Sequence, residues 1–162
     1  MLKATKKHLL LFGQNINNLF IINMSVKIES GLWTTIWRAK KVSTAFVKNS
    51  LVTLIAGFVT PATTDAGAAD KPCFGVYEGP AISAALATTP LVPVSVPIGP
   101  ALVRVTATGT LATTHEGNSF DMSDDVTVNA AATTYGVLTC VKFISATEGI
   151  FAIGKSIYAN VA

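Results

Sequence analysis

From Val42 onward no stretch of this chain keeps a helical apolar repeat for long. Apolar runs of four to nine residues are instead broken by turns rich in Gly, Pro or Asn. Strands of that length bury a face by curling into a barrel or stacking into a sandwich, so the pattern predicts an all-β fold. The expected strands are Thr44–Val47, Leu51–Ile55, Phe58–Pro61, Phe74–Tyr77, Val92–Ile98, Leu102–Ala107, Val126–Val128, Gly136–Ile144 and Ile150–Ile153. Along Val92–Ile98 the residues Val92, Val94, Val96 and Ile98 share one face, and Pro93, Ser95 and Pro97 share the other. Proline cannot donate to a ladder, so this strand is expected at a sheet edge or over another surface, with Gly99-Pro100 turning into the next. A helix is plausible only before residue 24 or over Ile82–Ala87.

The charge is divided unequally. Residues 1–50 carry eight cations against Glu29 alone, a net +7, whereas residues 51–162 carry a net −4; every proline lies between Pro61 and Pro100. A global +3 therefore hides two electrostatically opposite parts. The division predicts an extended N-terminal arm over residues 1–41 and a small β-barrel or β-sandwich over 42–162. At 162 residues the chain is one domain with at most an extension, and with 50% hydrophobic and 13% charged residues the body has enough apolar material for a core. A surface of Thr, Ser, Ala and Gly suits permanent packing against neighbours.

Met1–Asn23 opens with Lys3, Lys6 and Lys7 ahead of Leu9–Phe12, which has the order of a secretory leader. Gln14, Asn15, Asn17 and Asn18 then break the apolar stretch, and no small-residue cleavage site follows. The segment also lacks the roughly 20 apolar residues of a membrane span, so no membrane is expected as a partner. Met24 is an alternative start, which would make residues 1–23 a leader, an overrun or an added tail.

Within the arm, Trp33, Ile36 and Trp37 stand beside Arg38, Lys40 and Lys41. Large apolar groups anchor in a partner's grooves while cations meet an acidic surface, so these six residues are the candidate docking site. The competing structural reading is a first strand whose tryptophans cover the barrel's end. Basic and aromatic residues also interleave in nucleic-acid sites, but an acidic body would repel phosphates, and no nucleic acid is expected.

Chemistry is sparse. His8 lies in the doubtful leader and His115 in a polar turn, Thr114-His115-Glu116-Gly117. No serine-nucleophile elbow or zinc-binding His-Glu-x-x-His motif occurs. Gly149–Ser156 matches a phosphate-binding loop in letters, but Ile150–Ile153 is an apolar strand-like run rather than a flexible loop, so the match is read as chance. Asp121, Asp124 and Asp125 could supply oxygens to a calcium ion, yet the spacing departs from the helix-loop-helix pattern and the bidentate glutamate is missing. A solvated turn is the preferred account of that run, with no metal. Cys73 and Cys140 sit in apolar runs and are expected to be buried free thiols, because small Cys packs well in cores. No enzyme and no cofactor emerge from these residues.

The run Phe46–Ala62, with its Asn-Ser opening, apolar strand and Gly57 turn, resembles the start of the small capsid decoration (cement) proteins of tailed bacteriophages. Gly75-Val76, Asp125–Asn129, Thr134–Leu138 and Gly149–Ile153 continue that rhythm, so the resemblance covers about residues 42–157. The long proline-rich stretch Pro80–Pro100 and the N-terminal arm depart from the shortest members. The resemblance implies a β-module on the outer surface of an icosahedral virion, often a homotrimer, with the major capsid protein as partner and an arm reaching between capsid subunits. Deleting residues 1–41 is then expected to leave a folded body that no longer binds heads. The alternative is a carbohydrate- or receptor-binding β-domain of a phage fibre or bacterial surface protein, for which Tyr77, Tyr135 and Tyr158 are the candidate body aromatics.

Overall fold

Strict alternation over the valine-rich stretch near the middle of the chain builds the strand that organises the molecule. The computed structural model describes residues 25–66, 71 and 73–153. Nine strands occur among them: β1 Lys27–Ala39, β2 Ser50–Ile55, β3 Phe58–Pro61, β4 Cys73–Tyr77, β5 Leu91–Thr108, β6 Ser119–Met122, β7 Thr127–Asn129, β8 Leu138–Ser145 and β9 Glu148–Ile153. The protein is all-β, and β5, β7, β6, β8 and β9 pair in that order before β9 returns to β5, closing a five-stranded barrel. All its neighbours are antiparallel except β5 and β7. β4, β2 and β3 extend from the first half of β5, and β1 runs along β5's opposite side.

β5 lines two cores with opposite faces. Its even residues Val92, Val94 and Val96 pack with Val52, Val59, Phe74 and Tyr77 in the smaller core. Its odd residues Val103, Val105 and Ala107 pack with Phe120, Leu138 and Phe151 inside the closed barrel. Because successive strand residues point to opposite sides, one unbroken strand can serve both cores if its inside face changes midway. That change falls at Val94–Pro97, four consecutive buried residues. The same logic explains β4, buried at all five positions: Val76 faces the barrel core and Tyr77 the smaller one. β2 divides likewise, with Leu51 on the barrel side and Val52 on the other. These strands form a wall between the cores, and their near-continuous apolar runs follow from burial on both faces.

Two close-packing features shape that wall. Ile55 and Phe58 are joined by Ala56-Gly57, whose φ values of 49° and 84° are those of a tight two-residue hairpin loop. At Gly75 a Cβ atom would run into the Ser95 carbonyl, so only glycine lets β4 approach β5 this closely. Phe46 and Tyr77, with ring centroids 5.1 Å apart and edge to face, cap the smaller core. The Tyr77 hydroxyl donates to the Pro80 carbonyl.

Five expectations change. Val92–Ile98 and Leu102–Ala107 are one strand rather than two, because pairing with β1 resumes on both sides of Gly99-Pro100, which lies opposite the irregularity between Gly31 and Trp33. That strand is central, not at an edge: Ser95 pairs with Thr35 on one side and Val76 on the other. Its prolines are accommodated because the β4 ladder is confined to Val94 and Ser95, between Pro93 and Pro97. Thr44–Val47 contributes only an isolated bridge between Phe46 and Ile82, and Ile82–Ala87 is a bridge and turn rather than a helix. The fifth change concerns the arm. Residues 27–39 are a full strand of the sheet, while residues 1–24, including the possible leader and the other helix candidate, lie outside the described residues.

Candidate functional site

β1 is the outlier among the strands. None of its thirteen residues is buried, although it carries Leu32, Trp33, Ile36 and Trp37. Its inner contacts are partial: Trp33 packs on the barrel core and Ile36 on the smaller one. The Trp33 indole N–H donates to the Ser30 carbonyl at 3.0 Å, which fixes the ring close to its own strand. Trp37 is 63% exposed, and Arg38 and Lys41 are exposed beside it.

Lys40 departs from the expected docking set. Its side chain is fully buried, and its ammonium donates to the carbonyls of Lys41 at 3.1 Å and Thr44 at 3.0 Å. The backbone explains this inward turn. Lys40 bridges to Val59 of β3 and Lys41 N–H donates to the Val59 carbonyl at 3.0 Å, pinning the end of β1 over the smaller core. The long alkyl stem fills space while the buried charge is satisfied by main-chain oxygens. Lys40 therefore holds a corner of the fold and presents no cation to a partner.

Aliphatic residues complete the outward surface. Leu32 is 65% exposed, Leu91 63% and Ile98 55%. Leu91 pairs with Ala39 at one end of the β1–β5 ribbon, and Leu32 lies against Gly99 near the middle of β5. At the Lys41 end, Val42, Ile55, Ala56 and Phe58 line an open recess of about 390 Å³. Sequence reasoning passed over Leu32, Leu91 and Ile98. The available signal was alternation alone, which gives faces but does not say which face a neighbour covers.

Up to Trp37 the edge of β1 turned away from β5 carries no ladder among the described residues; past it, the bridge of Lys40 to Val59 covers the edge. From Trp33 to Ala39 the register with β5 is regular, and irregularities lie only upstream, between Ile28 and Ser30 and between Gly31 and Trp33. Lys27, Arg38 and Lys41 are exposed along this strand and its end. Its one acid, Glu29, is engaged by the Arg104 guanidinium, which also reaches Glu148 at 4.0 Å. The surface is thus apolar with a cationic rim.

The acidic run is used for folding. Asp121 is buried, with Oδ1 accepting N–H bonds from Tyr135 at 2.6 Å and Gly136 at 2.7 Å, and Oδ2 from Thr134 at 2.9 Å. Asp124 Oδ1 accepts from Val126 at 2.9 Å and Thr127 at 2.7 Å, closing a turn. Asp125 is half-buried, and desolvation, with Asp124 a lesser contributor, pushes its carboxyl above the usual range. Among the described residues no three His, Cys, Asp or Glu side chains are grouped to hold a metal ion. His115 Nδ1 accepts the Ala112 N–H at 3.2 Å, and its ring meets Phe120 edge to face. Cys73 and Cys140 are buried and free, and burial pushes the Cys73 thiol up to about 12. Ile150–Ile153 belongs to β9, and Gly154–Ser156 lies outside the described residues, as does Tyr158. Compared with protein-family models, curated proteins and solved structures, the chain matches none.

Proposed function

We propose that this protein is a structural component of a phage virion, binding the outer surface of the head and bracing contacts between major capsid proteins. The observation that carries the reading is β1: a strand with two tryptophans and no buried residue, rimmed by cations, paired to the long strand of a closed barrel. Exposed aromatic and aliphatic groups on a well-packed scaffold are the makings of a protein-docking patch. The family resemblance of residues 42–157 supplies the identity of the partner. The mechanism is mechanical: a protein that binds only the closed shell stabilises it by mass action, and grouping in threes would multiply a weak grip.

Deleting residues 1–41 is not a clean test of this reading, because β1 pairs with β5 on both sides of two irregularities and its removal would strip a strand from the sheet. Trp37→Ala and Arg38→Glu replace it, both at exposed positions. Purified heads of the encoding virus, stripped of this protein, are incubated with each variant and sedimented. Trp37→Ala is expected to weaken cosedimentation by about thirtyfold, the loss of a typical interface hot spot, with an unchanged melting temperature. Wild-type protein that stays in the supernatant overturns the reading.

A further inference from the structure

We propose that the free edge of β1 accepts one extended, acidic segment of the shell protein as an added strand, bonded through the main chain of Trp33, Thr35 and Trp37. The inference rests on the capsid reading for the partner's identity and deepens it by naming how contact is made.

The prolines of β5 identify which main-chain groups are free. In an antiparallel ladder, residues alternate between pairs that exchange both hydrogen bonds and pairs whose N–H and C=O point away from each other. Trp37 stands opposite Pro93 and Trp33 opposite Pro97. Neither proline has an N–H to give, and the Lys40 N–H donates to the Pro90 carbonyl at 3.0 Å, which sets the parity along the ribbon and makes both of these pairs the second kind. Thr35 opposite Ser95 lies between them at the same parity, and its hydroxyl approaches the Ser95 hydroxyl at 3.5 Å, consistent with the closer side chains of such pairs. Thr34, Ile36 and Arg38 therefore bond to Val96, Val94 and Val92, while Trp33, Thr35 and Trp37 aim their N–H and C=O at the open edge.

An open edge of regular strand is a template for pairing, and natural proteins usually blunt it. Here the irregularities upstream of Trp33 interrupt the edge, and the bridge of Lys40 to Val59 occupies it beyond Arg38, leaving Trp33–Trp37 as the usable stretch. Its occupant is chosen by charge. Lys27, Arg38 and Lys41 are exposed along β1 and its end, and Glu29 is taken by Arg104. A second copy of β1 would bring the same cations against these, whereas an acidic strand neutralises them. Main-chain bonds would supply affinity and Trp37, with the recess beside Lys41, would read alternate side chains of the added strand.

The test is Thr35→Pro, with Thr35→Val as control. Proline at an edge position whose N–H faces outward leaves the β5 ladder intact, so Thr35→Pro is expected to melt like wild type and to bind heads at least tenfold more weakly. Thr35→Val keeps the N–H and should bind like wild type. Should Thr35→Pro misfold, residue-resolved hydrogen exchange on wild-type protein decides: head binding should slow Trp33, Thr35 and Trp37 amides at least tenfold and leave Thr34, Ile36 and Arg38 unchanged. Full binding by Thr35→Pro with loss in Trp37→Ala overturns strand addition and keeps the capsid reading. A wild-type dimer that Thr35→Pro dissolves into monomers makes a second copy the occupant and overturns the proposal. Failure of wild type to bind heads removes both readings.

Discussion

Asp121 should be the most sensitive polar position in the barrel, and the geometry says by how much. β6 is four residues long and holds its place through two paired positions with β7 and two with β8. Asp121 supplements that short ladder with three backbone N–H bonds from Thr134, Tyr135 and Gly136, and its own N–H donates to the Ala132 carbonyl at 2.8 Å. A hydrogen bond to a charged group contributes about 1.5–3 kcal/mol when buried, less where the donor can reach water. Thr134 is exposed and Tyr135 and Gly136 are half-buried, so the low end applies. Asp121→Ala, losing all three, should cost roughly 4 kcal/mol. Asp121→Asn can keep the two bonds to Oδ1 and sets an amide donor against the Thr134 N–H, so roughly 2 kcal/mol is expected. Urea unfolding followed by fluorescence would show midpoints falling in the order wild type, Asn, Ala at constant slope. Hydrogen exchange at Thr134–Gly136 should accelerate in both variants. Losses below about 0.5 kcal/mol in both, the scale of an ordinary surface substitution, would refute the assignment of these bonds to barrel closure.

Gly75→Ala forces a methyl into the Ser95 carbonyl in the wall between the cores; a cost of roughly 2–3 kcal/mol is expected in thermal melts, and an unchanged midpoint would contradict the close approach. Lys40→Ala empties a buried stem and frees two carbonyls, so roughly 2–3 kcal/mol of stability should be lost. Lys40→Met, which refills the space without the charge, should recover most of that in the same melts, and a recovery of nothing would show that the ammonium itself matters. Asp125 carries a pH dependence. Its carboxyl titrates higher in the folded protein than the ordinary 3.8, so its ionisation works against folding. The protonated form favours the fold below that ordinary value, and the advantage is lost as pH rises through the folded-state value. Asp125→Asn should therefore exceed wild type in stability at pH 7 and converge with it in acid; the opposite trend in paired urea melts would reverse the sign.

Elements set by local chemistry were legible in the sequence. Ala56-Gly57 announces its hairpin through turn residues, and β4 announces itself as a short apolar run. β5 was not legible as one strand, because Gly99-Pro100 reads locally as a turn and only the neighbouring strands hold it extended. β6 was hidden for the same kind of reason. Ser119 and Asp121 look solvated until a segment 13–15 residues away delivers three N–H groups to the carboxylate. At the candidate surface, Trp37, Arg38 and Lys41 lie outward as their composition suggested, whereas Lys40, chemically indistinguishable from Lys41 in the sequence, points inward. Where the end of β1 is pinned to Val59, backbone alternation sends these two neighbours to opposite sides.

The placement of β1 also bears on how a decorating protein would take strain. β5 contributes side chains to both cores, and β1 is paired with β5 over Leu91–Pro97 and again over Ala101–Arg104, on the stretches that serve each core. A strand gripping the outer edge of β1 would therefore pull on main-chain bonds arranged side by side along one ribbon. Peeling β1 away would expose Trp33 from the barrel core and Ile36 from the smaller one together. Resistance then comes from two packed cores rather than one, and it does not depend on any single side chain. An arm tethered by a flexible linker would offer only its own contacts; a grip on a strand bonded to β5 would oppose removal with the cooperativity of the fold.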